Sequence, residues 1–173
     1  MRRTYLLSIA SVVFVSNYDV STAYQNVLGT PLKKCSQPGM AMTGFTRDGS
    51  CTEYQDDVGS HHICIDLSSE SLEGHNFCDV TGQSNWCDSS MPCMPSHGRQ
   101  MNNDICPVRN WCVCQWAFAS YIKNAGGCDK IQTIDCEATN MEALNSYRDN
   151  AQDDSIQNAL ECIVDRCNIG DEY

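Results

Sequence analysis

Thirteen cysteines in a chain of 173 residues constrain this fold more than any other feature. The first of them is Cys35, so all the sulfur lies beyond the N-terminal segment. A chain that carries so much thiol reads as a disulfide framework built in an oxidising compartment, where cystine persists. Because the count is odd, at least one sulfur stays free, joins another chain or does chemistry.

The N-terminus fits that compartment. Arg2 and Arg3 precede the apolar run "YLLSIASVVFV", which is interrupted only by serines. The run is too short to cross a bilayer as a helix, which takes about 20 apolar residues. Ser21 and Ala23 then stand at the spacing that a signal peptidase reads. Residues 1–23 are therefore expected to be a signal peptide and residues 24–173 a single mature domain, long enough to bury its own core. The expected address is secreted, either extracellular or in the endomembrane lumen.

The whole chain has 11 Lys plus Arg against 22 Asp plus Glu, a formal net charge of −11. Such a surface repels phosphate backbones and anionic lipid heads, and no basic cluster offsets it. Nucleic acid is excluded as a partner, as is a membrane once the leader is gone. What remains is an unknown small ligand or protein.

Periodicity outlines the elements. "HHICIDLS" alternates Ile63, Ile65 and Leu67 against His62, Cys64 and Asp66, the pattern of a strand. "NWCVC" reads as a second strand and "KIQTIDCEA" as a third. "QWAFASYIKNAGG" is helical up to Gly126. Thr139 or Asn140 caps a helix over "MEALNSYRD", and Asp153 or Asp154 caps a last one carrying Ile156, Leu160, Ile163 and Cys167 at helical spacing. Residues 73–107, rich in Ser, Asn, Asp, Gly and Pro, read as a long cysteine-rich loop. Its four sulfurs, Cys78, Cys87, Cys93 and Cys106, are expected to pair within the segment. Strands and helices are mixed rather than strictly alternating. The expected fold is α+β, a disulfide-stabilised small sheet with helices packed on one face.

The stretches "NVLGTPLKKC", "TGFTRDGSC", "DVGSHHIC", "WCVC" and "CEATNMEAL" occur in an order and spacing that resemble DUF2237, a domain family of unknown function. The resemblance runs from about residue 26 to residue 144, interrupted by the cysteine-rich segment. It implies a two-layer α/β sandwich and no particular reaction. The chain departs from bacterial members at Asn140, where they carry a histidine after the EAT tripeptide. Cys35, Cys51, Cys64, Cys112 and Cys114 fall within the matching stretches. The other eight, Cys78, Cys87, Cys93, Cys106, Cys128, Cys136, Cys162 and Cys167, are the disulfide candidates. Eight can pair among themselves and five cannot, so this partition puts the unpaired sulfur among the five.

Three readings compete for Cys112 and Cys114, which share a face if both lie on a strand. They could be halves of two different disulfides, inert buried thiols, or a thiol or metal site with His61 and Cys64. A zinc site would need those donors at about 2.0–2.3 Å from one ion. No CxxC pair, HExxH, GxSxG, phosphate loop or dinucleotide fingerprint occurs, so the sequence points to no cofactor. On a strand only one of His61 and His62 can face an interior site, and His61 is favoured because it sits in "DVGSH". Arg47, Asp57, His61, Glu137 and Thr139 form a candidate ligand pocket, with Arg47 as a charge clamp and Glu137 or His61 as the proton carrier. Trp86, Trp111, Trp116 and Tyr121 are either core or a carbohydrate-binding face. The leading functional expectation is a non-enzymatic ligand- or partner-binding protein. The alternative is a thiol- or metal-dependent enzyme using Cys112, Cys114, Cys64 and His61.

Overall fold

The computed structural model describes residues 22–95 and 104–170. The expected leader falls outside the described residues except for its last two positions.

Three antiparallel strands form the central sheet: β1 (Ile63–Asp66), β4 (Asn110–Val113) and β5 (Thr133–Ile134), in the order β4-β1-β5. The register sets Ile63 opposite Val113, Cys64 opposite Cys112 and Ile65 opposite Trp111. Since side chains alternate across a strand, this register sorts the sheet into two chemically different faces. Ile63, Ile65, Trp111 and Val113 join the main apolar core, while Cys64 and Cys112 belong to a separate buried cluster with Cys35, Cys51 and Ala138.

Helices cover the apolar face. They are α2 (Gln115–Ala125), α3 (Met141–Asp149) and α4 (Asp154–Arg166). Phe118, Tyr121, Ile122, Leu144, Tyr147 and Ile163 from these helices are buried against the sheet, each aliphatic or phenyl side chain contributing about 1.5–3 kcal/mol by leaving water. The ends follow local chemistry. The Asn140 side chain accepts from Glu142 N to cap α3, Asp153 accepts from Ser155 N and Ile156 N to cap α4, and Gly126 closes α2 in the left-handed conformation at φ 85°. The third strand is far shorter than its alternation suggests. Gln132, just before it, spends its amide on tertiary contacts: its Oε1 accepts from Phe77 N at 2.9 Å and its Nε2 donates to Leu67 O at 2.7 Å.

The cysteine-rich segment is not one irregular loop. It contains the short helix α1 (Phe77–Thr81) and a hairpin of β2 (Ser90–Pro92) with β3 (Ile105–Pro107). Phe77 anchors it, fully buried and edge-on to Tyr121 with ring centroids 5.3 Å apart. A five-residue helix and three-residue strands are too short to show a period, which is why the sequence presents only turn formers there.

Twelve of the thirteen cysteines are cross-linked, as Cys35–Cys64, Cys51–Cys112, Cys78–Cys87, Cys93–Cys106, Cys128–Cys162 and Cys136–Cys167. The loop sulfurs pair within their own segment. Cys162 and Cys167 each tie α4 to a different part of the chain, and Cys114 alone is free. The fold is thus α+β and disulfide-stabilised. Among the described residues no helix is long and apolar enough to cross a membrane.

Candidate functional site

The free thiol stands where β4 gives way to α2. The strand ends at Val113, and Cys114, at φ −57° and ψ 127°, is the N-cap residue of α2. It is half-buried and lines a cavity of about 270 Å³ together with Arg47, His61, Trp86 and Trp111. Phe77, Met91 and Val113 complete its apolar wall. That volume lies near the lower limit for a small-molecule site.

Opposite the thiol, the turn preceding β1 is organised by one carboxylate. Asp57 Oδ1 accepts from Gly59 N at 3.1 Å and Asp57 Oδ2 accepts from His61 N at 2.8 Å, while the His61 ring meets Asp57 Oδ1 through Nδ1 at 2.7 Å. Burial pushes the Asp57 carboxyl up, but the hydrogen bonds and charge of His61 outweigh it and hold its pKa below the usual 3.8. A carboxyl depressed in this way adds stability above the usual pKa and loses it as pH falls through the lower folded value. With Nδ1 tied to Asp57, Nε2 is the ring nitrogen left for a ligand.

Gly59 makes room for that ring. A Cβ at position 59 would lie 2.2 Å from His61 Cε1, closer than any two carbons can pack. Gly59→Ala is therefore expected to swing the imidazole away and break its bond to Asp57. The check is loss of the downfield Nδ1 proton signal in NMR, with the melting temperature changed by only a few degrees because the ring is partly exposed.

Arg47 comes from the loop between Gly44 and Ser50. The loop turns tightly enough that a Cβ on Gly44, at φ +88°, would sit 2.3 Å from Ser50 O. Arg47 itself adopts φ 55° and lays its guanidinium over the Trp111 ring, 4.9 Å from the centroid. Among the described residues no carboxylate pairs with it. Its neighbour Asp48 is engaged instead by Lys34 at 3.7 Å. Trp86 stacks obliquely on Trp111 at 5.4 Å, so two indoles and one unpaired cation share the wall. Trp86 is missed by an argument from the matching stretches, because it belongs to the cysteine-rich segment.

Tyr147 lies beyond Cys114. Its hydroxyl donates to Gln115 O, and burial, followed by the negative charge available to Cys114, holds its phenol well above the ordinary 10.0.

The structure assembles only part of the expected pocket. Arg47 and His61 line the cavity and Asp57 supports His61. Glu137 is elsewhere, exposed and paired with Lys33 at 2.6 Å. Thr139 is buried as a structural link, accepting from Cys64 N at 3.1 Å and donating to Asp135 O at 2.8 Å. Both are removed from the site. His62 points to the other side, where Gln115 Oε1 at 2.7 Å and Glu53 engage its two ring nitrogens. Trp116 packs on Tyr147 and Tyr121 lies in the core, so the four aromatics do not make one binding face.

The expected metal and thiol set also changes. Cys64 and Cys112 are oxidised to Cys35 and Cys51, so neither can act as a thiolate ligand or nucleophile, and His61 and Cys114 are left without them. The sulfurs of Cys35, Cys51 and Cys112 do lie within 4.8 Å of one another. They are two cystines in contact, however, and thiolate is what binds zinc. Nor do Cys112 and Cys114 bridge two neighbours; only Cys112 does.

No protein of curated function matches this chain. Residues 25–152 match the model of a family described as uncharacterized protein conserved in bacteria (DUF2237). That match spans the sheet, the His61 turn, the Cys114 helix and α3, so the chain belongs to the DUF2237 family.

Proposed function

We propose that this is an exported, disulfide-braced binding protein that holds a small anionic ligand with an aromatic or apolar body in the cavity between Arg47, His61, Trp86 and Trp111. The observation that carries this reading is Arg47. In a chain of net charge −11, a guanidinium set over an indole at a cavity wall, with no carboxylate partner among the described residues, is a cation left available for a ligand. The two tryptophans supply a rigid face for a flat body, and His61 offers a second polar contact. Export is supported by the twelve cross-linked cysteines, which a reducing cytosol would not maintain.

Trp86 and Trp111 make the test direct. Phenylacetate is expected to change tryptophan fluorescence saturably, and Arg47→Gln to weaken its apparent affinity by roughly 10-fold or more, the loss of one charge-assisted contact. A neutral analogue, phenylacetamide, should bind both proteins equally. Equal phenylacetate affinity in the two proteins, or no saturable change in either, refutes the reading.

A further inference from the structure

We infer that the cavity also carries out acyl transfer, with Cys114 as nucleophile, His61 as general base and Asp57 as its positioning carboxylate, on a small ester or thioester bearing a negative charge. The inference rests on the anionic-ligand reading of the same cavity and adds a reaction to it.

Two separate features meet there, and a third adjoins them through Cys114. The first is chemical: in a chain where every other cysteine is oxidised, the single reduced sulfur opens onto the cavity that also holds the unpaired cation. The second is the His61–Asp57 pair, in which the bond at Nδ1 fixes the ring and leaves Nε2 as acceptor for a thiol proton. The third is the start of α2, an eleven-residue helix whose first-turn amides adjoin Cys114. Gln115 N is committed to Ser60 O at 3.0 Å, whereas Trp116 N and Ala117 N have no acceptor among the described residues. Those two amides are the donors available to a developing oxyanion. No hydrogen bond joins Cys114 to His61 in this state, as is common before a ligand closes such a site.

The reaction balances without any further reagent than water. The Cys114 thiol adds to the carbonyl carbon of R–CO–X while His61 Nε2 takes the thiol proton. The C–X bond breaks, X leaves with that proton, and an S-acyl Cys114 remains. Water then adds to the thioester with His61 again accepting a proton, the C–S bond breaks, and the sulfur recovers the proton as R–COOH departs. The net change is R–CO–X plus water to R–COOH plus HX. Arg47 would hold the substrate's carboxylate, so anionic acyl groups should be preferred.

The test uses 4-nitrophenyl succinate with the fully oxidised protein. One succinyl group per chain is expected on Cys114 by mass spectrometry, with continued nitrophenol release. Cys114→Ser should carry no label, and His61→Asn should acylate on the order of 100-fold more slowly. Asp57→Asn should slow acylation far more than it weakens phenylacetate binding, a split that misfolding would not produce. Intact-mass counting of six disulfides confirms folding in each variant. Acylation of Cys114 no faster than that of N-acetylcysteine, or a His61→Asn rate equal to that of the unaltered protein, overturns the inference. In that case retained phenylacetate binding leaves the binding function standing, and its loss removes both.

Discussion

Replacing Cys51 and Cys112 together with alanine is expected to lower the stability by about 4 kcal/mol, the loop-entropy value for a bridge across 61 residues. For a domain of this size that corresponds to a fall in melting temperature of roughly 8–16 °C. The Cys78–Cys87 bridge spans only 9 residues and by the same relation contributes roughly 2.5 kcal/mol. Packing widens the gap between them. Cys51 and Cys112 are each 1% exposed and lie against the Cys35–Cys64 bridge, so removing them also opens a void under the sheet. Both cysteines must be replaced together. A single change would leave a thiol within 4.8 Å of a neighbouring cystine and invite exchange. Thermal unfolding of the two double variants side by side decides the matter. An equal or smaller loss for the Cys51/Cys112 pair contradicts this account of the sulfur layer.

Asn140 is expected to show the second large effect. Its amide is fully buried and does two separate jobs. Oδ1 accepts from Glu142 N at 2.9 Å as the cap of α3, and Nδ2 donates to Ala23 O at 2.9 Å and to Cys51 O at 3.0 Å. Asn140→Ala loses the cap, about 1 kcal/mol, and strands a buried carbonyl, which costs about 1–3 kcal/mol more. Denaturant unfolding should therefore report a loss of roughly 2–4 kcal/mol. Asn140→Asp separates the two jobs, since it keeps an acceptor at a helix N-terminus but turns a carboxylate oxygen toward two carbonyls. It should be at least as damaging as alanine. An aspartate variant as stable as the unaltered protein would mean that only the cap matters. At this position Asn140 therefore closes a structural joint.

Much of this architecture was legible in the sequence, and the limits are instructive. Ile63 and Ile65 against Cys64 revealed a strand with two unlike faces because period two survives even in four residues. The division of the cysteines into eight and five matches the bridges formed, since the eight serve the chain's peripheral segments and the five surround the sheet. What failed was reasoning across the end of an element. Alternation places Cys112 and Cys114 on one face only while the strand lasts, and it stops at Val113, so one sulfur is cross-linked and the other caps a helix. Glu137 and Thr139 were grouped with Arg47 because they share matching stretches. Adjacency in a motif says nothing about which side of a short turn a side chain leaves from. The hairpin and α1 were hidden by brevity, since three-residue strands and a five-residue helix carry no period to read.

The bridges also have an order problem. Cys35–Cys64 and Cys51–Cys112 interleave along the chain, as do Cys128–Cys162 and Cys136–Cys167. A polypeptide emerging N-terminus first presents Cys51 to Cys35 well before Cys64 arrives, and Cys136 to Cys128 before Cys162. The earliest couplings open to it are thus wrong ones, and any that form must be broken and remade. The native connectivity therefore favours conditions in which bonds can be rearranged as well as formed.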